Sequence, residues 1–321
     1  MKLFVIGGTG YIGSVVCERL QADGHTLRGL ARSDTAAAQL AGAGIEPVQG
    51  AMGDAEIIGN ESAAADGVVQ IATGGFLSQA LETVSEAAAT TDAVLDALAG
   101  ADKPYVVTGG TGGWMDTGLV NPERVVTEDD PMTPPYFYKH LAEISEKVLS
   151  AEDVRAIMVS PGQLYGRRGG YIGPIARLFN GLRKHGVVYA VNYDNAVTFV
   201  HVDDLADLYA LVLQTPSARG LYFAATDTVP VLQVAKAVSA AAGLGGEVEM
   251  VDHVTMRSLN GRFNELDFFG NVRASSAKAR EELGWRPHRP GVIEELAGLP
   301  KPLDLNSVYP EPKRHTAAAR V

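Results

Sequence analysis

The chain opens on a five-residue apolar run, residues 2–6, that ends in paired glycines. It is too short for a helix, and an apolar run without polar alternation reads as a strand buried on both faces. Beyond the glycines, Ser14 to Gln21 sets Val15, Val16 and Leu20 at helical spacing. The glycine turn therefore joins a strand's carboxyl end to a helix's amino end. His25 to Ala31, Ile45 to Gln49, Gly67 to Ala72 and Tyr105 to Thr108 read as further short strands, with Ala-rich helical sequence, including Leu77 to Leu98, between them. Strands alternating with helices predict an α/β fold built on a doubly wound parallel sheet. A later helix is expected to start at Thr133-Pro134-Pro135 and to carry Leu141, Ile144 and Val148 as its apolar stripe.

Composition narrows the class without changing it. The 321 residues suffice for one large or two modest domains, and 46% hydrophobic with 20% charged residues is globular composition. A net charge of −11 argues against a general nucleic-acid binder, which needs clustered Lys and Arg. The single cysteine, Cys17, excludes an internal disulfide and suits a reducing cytoplasm. The amino terminus turns glycine-rich too soon for a signal peptide, and no stretch reads as a membrane span. The expectation is a cytoplasmic protein acting on a small molecule, with neither nucleic acid nor membrane as partner.

Gly8, Gly10 and Gly13 fit G-x-G-x-x-G, and Gly7, Gly10 and Gly13 fit the wider G-x-x-G-x-x-G. Between a strand and a helix, such a turn presents unpaired backbone N–H groups and the positive end of the helix dipole, where a dinucleotide's pyrophosphate binds. Arg32, 19 residues beyond Gly13, stands where an acid would hold a ribose 2′-hydroxyl and an arginine pairs with a 2′-phosphate, which favours NADP over NAD. A second glycine-rich turn, Thr108 to Trp114, follows another strand. Thr108 reads as closing that strand, and Thr111, expected to be exposed, as the catalytic hydroxyl. His201 beside Asp203 and Asp204 lacks paired ligand spacing, so no metal site is expected. Trp114, Tyr165, Tyr193, Phe263, Phe268 and Phe269 read as core or as pocket lining. Four prolines from Pro300 onward and the basic Lys313-Arg314-His315 suggest an extended arm or a frayed end.

Further segments complete a family pattern: Lys139-His-Leu-Ala-Glu143, Ser160-Pro-Gly-Gln-Leu-Tyr-Gly166, Phe199-Val-His-Val-Asp-Asp-Leu-Ala206 and Leu283-Gly-Trp-Arg-Pro287. With the glycine turn they make the chain, over residues 1 to about 297, resemble an extended or atypical short-chain dehydrogenase/reductase of the NAD-dependent epimerase/dehydratase superfamily. The resemblance implies a Rossmann domain over 1–170 with a return segment at about 191–226. It also implies a smaller substrate-binding part over 171–190 and 227–300, a tail over 301–321, and often a homodimer. It assigns cofactor contacts to Gly7, Thr9, Gly10, Tyr11, Ile12, Gly13, Arg32, Ser33, Ala72, Lys139 and Pro161.

Relatives usually carry Tyr-x-x-x-Lys, the Tyr moving the proton and the Lys lowering its pKa and holding the nicotinamide ribose. Here Lys139 is present, but Pro135 takes the tyrosine's place between Thr133-Pro134 and Tyr136, with Tyr138 further on. On a helix, position 136 lies about 60° round from Lys139, against about 40° for the usual position and 100° for Tyr138, so Tyr136 is the better substitute. Ala51 replaces the acid that often touches adenine, and Ser160 replaces an arginine common before the Pro-Gly turn, which counts against nucleotide-sugar chemistry. Arg167 and Arg168 are the residues that would compensate at a phosphate or carboxylate. The expected function is an NADP-dependent oxidoreductase moving hydride between nicotinamide and a carbonyl or alcohol carbon, with Thr111, Tyr136 and Lys139 as its catalytic set. The alternatives are an epimerase or dehydratase retaining NAD, and a non-catalytic dinucleotide sensor.

Overall fold

The computed structural model describes residues 1–72, 81–135, 138–169, 173–191, 193–260 and 270–309. The first half alternates as the hydropathy pattern predicts: β1 (Lys2–Ile6), α1 (Tyr11–Ala22), β2 (Thr26–Ala31), α2 (Asp34–Gly42), β3 (Glu46–Gln49), α3 (Ala55–Ala64), β4 (Gly67–Gln70), α4 (Leu81–Leu98) and β5 (Pro104–Thr108). After β6 (Val125–Val126) come α5 (Lys139–Leu149), β7 (Arg155–Pro161), β8 (Gln163–Tyr165), α6 (Pro174–His185), β9 (Tyr189–Ala190), β10 (Ala196–His201), α7 (Val202–Gln214), β11 (Gly220–Ala224), β12 (Asp227–Pro230) and α8 (Val231–Ala241).

Seven strands form one parallel sheet in the order β11-β7-β5-β4-β1-β2-β3. Along β1, Phe4 and Ile6 enter a core shared with α3, α4 and α5, whereas Leu3 and Val5 enter a second core shared with α1, α2 and α7. Both faces are covered, which is why these strands read as continuous apolar runs. Chain order reverses between β1 and β4, the switch point at whose carboxyl ends open α/β sheets bind ligands. A separate three-stranded sheet has the order β12-β10-β8, with α8 packed on β12, on α6 and on the helix Val292–Ala297.

Two local expectations are corrected. Helix α5 begins at Lys139, not at Thr133 to Pro135. Thr133 and Pro134 each precede a proline, which drives them out of the helical region. The Thr133 N–H instead donates to Gly113 O at 3.0 Å, and the Tyr138 N–H to Pro135 O at 2.8 Å. Nor is the chain frayed from Pro300 onward: residues up to Tyr309 fold back on the protein, and Val308 and Tyr309 are fully buried. Residues 310–321 lie outside the described residues. No helix among the described residues is long and apolar enough to cross a membrane.

Candidate functional site

The glycines of the first turn differ in what a side chain would meet. Gly7 has φ +99°, and a Cβ on it would lie 2.7 Å from the Ala72 backbone nitrogen. Ala72 follows β4, so this contact closes the switch point between β1 and β4. A Cβ on Gly13 would lie 2.0 Å from Gly7 O, which only glycine avoids as α1 packs on the turn. Gly10 is different. Its backbone is extended, with φ −78°, and the nearest atom to a Cβ there is Gly7 O at 3.5 Å. Nothing among the described residues demands a glycine at position 10, whereas a pyrophosphate approaching the main chain does.

The start of α1 is otherwise bare. Gly10 is its N-cap and gives no side-chain bond, and no acid stands in the first turn. The first bond into the helix runs from the Ser14 N–H to Gly10 O at 2.9 Å, so the N–H groups of Tyr11, Ile12 and Gly13 are the helix's orphan donors. Thr9 and Gly10 are exposed at this edge. Parallel pairing sets Val5 opposite Gly29 and so brings Arg32, just past β2, to the same edge as the turn. Arg32 is exposed and makes no ion pair or side-chain hydrogen bond among the described residues. Ser33 caps α2, its hydroxyl accepting from the Ala36 N–H at 3.2 Å. Pro161 ends β7 buried at the same sheet edge, in register with Ala224.

The second glycine turn is filled by the protein itself. A Cβ on Gly109 would lie 2.3 Å from Ser160 Oγ, one on Gly110 2.5 Å from the Tyr138 hydroxyl, and one on Gly112 2.7 Å from Tyr138 Cε2. Tyr138 is buried against this turn and its hydroxyl donates to Gly110 O at 3.2 Å. Burial pushes its phenol pKa up. Thr111 is 2% exposed, contrary to the expectation of an exposed hydroxyl, because Thr111–Trp114 winds into a short 3-10 turn under Tyr138. Thr108 does close β5, sharing a hydrogen bond with the Tyr209 hydroxyl and donating to Gln70 O at 3.3 Å. Lys139 is exposed. α5 starts at Lys139 with Tyr138 as its N-cap, so the helical angle taken back from Lys139 to position 136 runs outside the described helix. Tyr136 itself lies outside the described residues.

The comparisons with known proteins agree with this geometry. A family model described as "NAD dependent epimerase/dehydratase family" matches residues 3–222. The chain belongs to that family. It is 28% identical over 302 residues to an uncharacterized protein of Schizosaccharomyces pombe, covering 92% of this chain and 98% of the relative. Among solved structures it resembles the Bordetella bronchiseptica enzyme WbmH in complex with NAD+, with TM-score 0.71, 18% identity and coverage of 92% and 95% of the two chains. It also resembles DesIV, a dTDP-glucose 4,6-dehydratase from Streptomyces venezuelae with NAD and TYD bound, with TM-score 0.72, 19% identity and coverage of 92% and 96%.

Within this family fold, several residues singled out from the sequence have structural employment. Ser160 is fully buried, and its hydroxyl finds no hydrogen-bond partner among the described residues. Arg167 is not held in reserve for a ligand: it pairs with Glu18 of α1 at 2.6 Å and with Asp203 of α7 at 2.6 Å. Ala51 has a nearby acid, but the Asp54 carboxylate accepts the Ala51 N–H at 2.6 Å. His201 sits at the β10–α7 junction as a helix cap, its Nδ1 accepting from the Asp203 N–H at 3.1 Å, and burial pushes its pKa down. Asp204, Asp207 and His288 come together, but protein donors already serve both carboxylates. The His288 and Arg289 N–H groups reach Asp204 at 3.0 and 3.2 Å, and Arg19 reaches Asp207 at 2.6 Å. Cys17 is buried in the core with its thiol pKa pushed up to about 12.

Of the aromatic residues, Trp114 packs edge-on to Phe223 and donates to Asp130 O. It also lines a cleft of about 410 Å³ with Glu128, Met132, Leu221 and Lys278. Tyr165 donates to Pro290 O and Tyr193 to Thr117 O. Phe263, Phe268 and Phe269 lie outside the described residues. Sequence reasoning missed Tyr138 as the residue against which Gly110 and Gly112 pack; the run of glycines at 109, 110, 112 and 113 was the only signal of a crowded turn.

Proposed function

We propose that the protein is an NADP-dependent oxidoreductase that moves hydride between nicotinamide and a carbonyl or alcohol carbon of a small organic molecule. Gly10 carries this reading: a Cβ on it would meet no described atom nearer than Gly7 O at 3.5 Å, and it stands beside the orphan N–H groups of α1, a cradle that a side chain would fill. The residues present fit a dinucleotide, with Tyr11 to Gly13 for the pyrophosphate and the unpaired Arg32 for a 2′-phosphate. When bound, the nicotinamide supplies or accepts the hydride. The chain's own work is to orient the substrate oxygen and move a proton at it. The Tyr136 hydroxyl exchanges its proton with that oxygen. The Lys139 ammonium favours phenolate at Tyr136.

Two observations favour other readings. Pro135 at the usual tyrosine position, and a Tyr138 hydroxyl already committed to Gly110 O, suit a dinucleotide sensor without turnover. The NAD found with WbmH and DesIV suits an epimerase or dehydratase that retains its cofactor, but Ser160 buried beneath Gly109 leaves no cation there for a diphosphate substrate. The deciding experiment is titration of purified protein with NADPH and NADH, followed by turnover across a panel of carbonyl compounds. Binding with NADPH oxidation supports the oxidoreductase, binding without turnover supports the sensor, and tightly held co-purified NAD supports the epimerase.

A further inference from the structure

The carboxyl-terminal stretch, expected from sequence to be an extended arm or a frayed end, makes a continuous chain of contacts to the first glycine turn. Arg183 on α6 grips it by three carbonyls, through Nε to Leu305 O at 2.8 Å and through Nη2 to Tyr309 O at 2.8 Å and to Val308 O. The Tyr309 ring stacks on Phe179 of α6, centroids 5.4 Å apart and planes 9° from parallel. From there the stretch reaches the loop that follows β8. The Tyr309 N–H donates to Arg168 O at 2.7 Å, and the Gly166 N–H lies 3.5 Å from the Tyr309 hydroxyl. At the same residue, Gly166 O accepts from the Tyr11 hydroxyl at 2.8 Å, and Gly169 lies so close to the Tyr11 ring that a Cβ there would come within 2.5 Å. Tyr11 is the first residue of α1.

Backbone conformation marks the same junction. Four non-glycine residues among those described have positive φ, and three of them are Arg167 at +50°, Arg168 at +52° and Tyr309 at +42°. Such conformations persist where surrounding contacts over-determine them. Here the contacts are mutual, because the Arg168 carbonyl and the Tyr309 N–H hold each other and Arg167 is pinned to Glu18 and Asp203.

We propose that residues 301–309 form a latch, with Tyr309 as a positioning residue that sets the 166–169 loop and through it the Tyr11 end of α1, so that releasing the latch weakens dinucleotide binding. The ligand part rests on the dinucleotide reading above, whereas the latch itself does not. Linkage makes the effect reciprocal: a dinucleotide at α1 tightens the latch by the factor that the latch tightens the dinucleotide.

The test is backbone hydrogen exchange on the full chain, with and without NADPH, in wild type, Tyr309→Ala, Tyr309→Phe and Arg183→Met, together with NADPH affinity for each. Without ligand, Tyr309→Ala should speed exchange at 166–169 and at 14–16, the first hydrogen-bonded amides of α1, by about tenfold or more while β1 and β4 stay protected, a local pattern that general destabilisation does not give. NADPH affinity should fall about tenfold in the same variant, and NADPH should slow exchange at 301–309 in wild type. Tyr309→Phe, which keeps the stacked ring and the N–H to Arg168, should restore most of the affinity. Arg183→Met should loosen the same segments even if Tyr309→Ala does not fold. Unchanged exchange at 166–169 and 14–16 in the folded variants overturns the latch whatever NADPH does. Loosened segments with unchanged affinity overturn its coupling to the dinucleotide. Loosened segments in a protein that binds neither NADPH nor NADH leave the latch standing and remove the dinucleotide reading instead.

Discussion

The two glycine-rich turns stand at the carboxyl ends of β1 and β5, on one edge of one sheet, and are alike in sequence. Their glycines serve opposite ends. In the second turn, Ser160 or Tyr138 occupies the place of a side chain on Gly109, Gly110 and Gly112. In the first, Gly7 and Gly13 are spent on packing in the same way, but Gly10 is bare toward the outside. A glycine that accommodates the protein's own side chains is a packing device. One that the protein does not need is a place kept for something else. The comparison separates a turn left open at one glycine from a turn filled by the protein's own side chains.

The largest effects are expected at the chemistry. Tyr136→Phe should keep NADPH affinity and lower single-turnover hydride transfer by roughly 10²-fold or more, the usual scale of general acid catalysis. Lys139→Ala should impair both. Full activity in Tyr136→Phe would remove the assignment, and loss in Tyr138→Phe alone would turn the second turn from a support into a catalytic element. Next come the glycines themselves. A Cβ on Gly10 meets no described atom nearer than 3.5 Å, so Gly10→Val should fold with no more than about 1 kcal/mol lost at the helix cap, yet bind NADPH at least about 100-fold more weakly. Gly112→Ala should do the reverse, costing about 1–3 kcal/mol in urea unfolding because the Tyr138 ring must shift, with NADPH affinity preserved. Undiminished binding in Gly10→Val, or binding lost equally in both, would erase the distinction between the turns.

Much of this was legible in the sequence. The sheet was, because a strand covered on both faces cannot hide its apolar run, and β1, β2 and β5 appear within a residue or two of their expected ends. The first turn was legible because strand, glycines and helix occur in an order with one physical use. What failed was whatever depended on side chains meeting across the fold. Thr111 looked exposed because nothing local to it announces that Tyr138, 27 residues on, covers its turn. The spacing from Lys139 assumed a helix that two consecutive prolines delay. The tail looked frayed because its prolines were legible, while its anchors, Arg183 and Phe179, lie more than a hundred residues earlier.

A smaller effect tests what the bare glycine admits. If Arg32 meets a 2′-phosphate beside the Gly10 cradle, NADPH should bind at least about tenfold tighter than NADH, about 1.4 kcal/mol, and Arg32→Ala should abolish that preference. Paired titrations of wild type and variant measure it. Equal affinities in wild type would leave the cradle a dinucleotide site indifferent to the 2′-position.

The smallest effect concerns Gly166, a glycine of the protein-filled kind. A Cβ on it would lie 2.2 Å from His201 Nε2, while His201 Nδ1 caps α7 by accepting from the Asp203 N–H. That nitrogen accepts only while it carries no proton, and burial holds the folded pKa of His201 below its ordinary value despite Asp203, Asp204 and Glu295 nearby, with Arg289 adding to the depression. The sign follows. As pH falls below about 6.5 the unfolded chain takes up the proton first, so the stability His201 contributes is complete above that pH and is lost on the way down to the folded pKa. His201→Asn keeps a capping acceptor that does not titrate. Urea unfolding between about pH 5 and 7 should therefore show a flatter stability profile in His201→Asn than in wild type, with a difference on the order of 1 kcal/mol, the scale of one helix cap. His25 and His140 are depressed as well and titrate in both proteins, so they cancel in the comparison. Parallel profiles would mean that His201 fills the space beside Gly166 without its charge mattering, which would leave that contact one of shape alone.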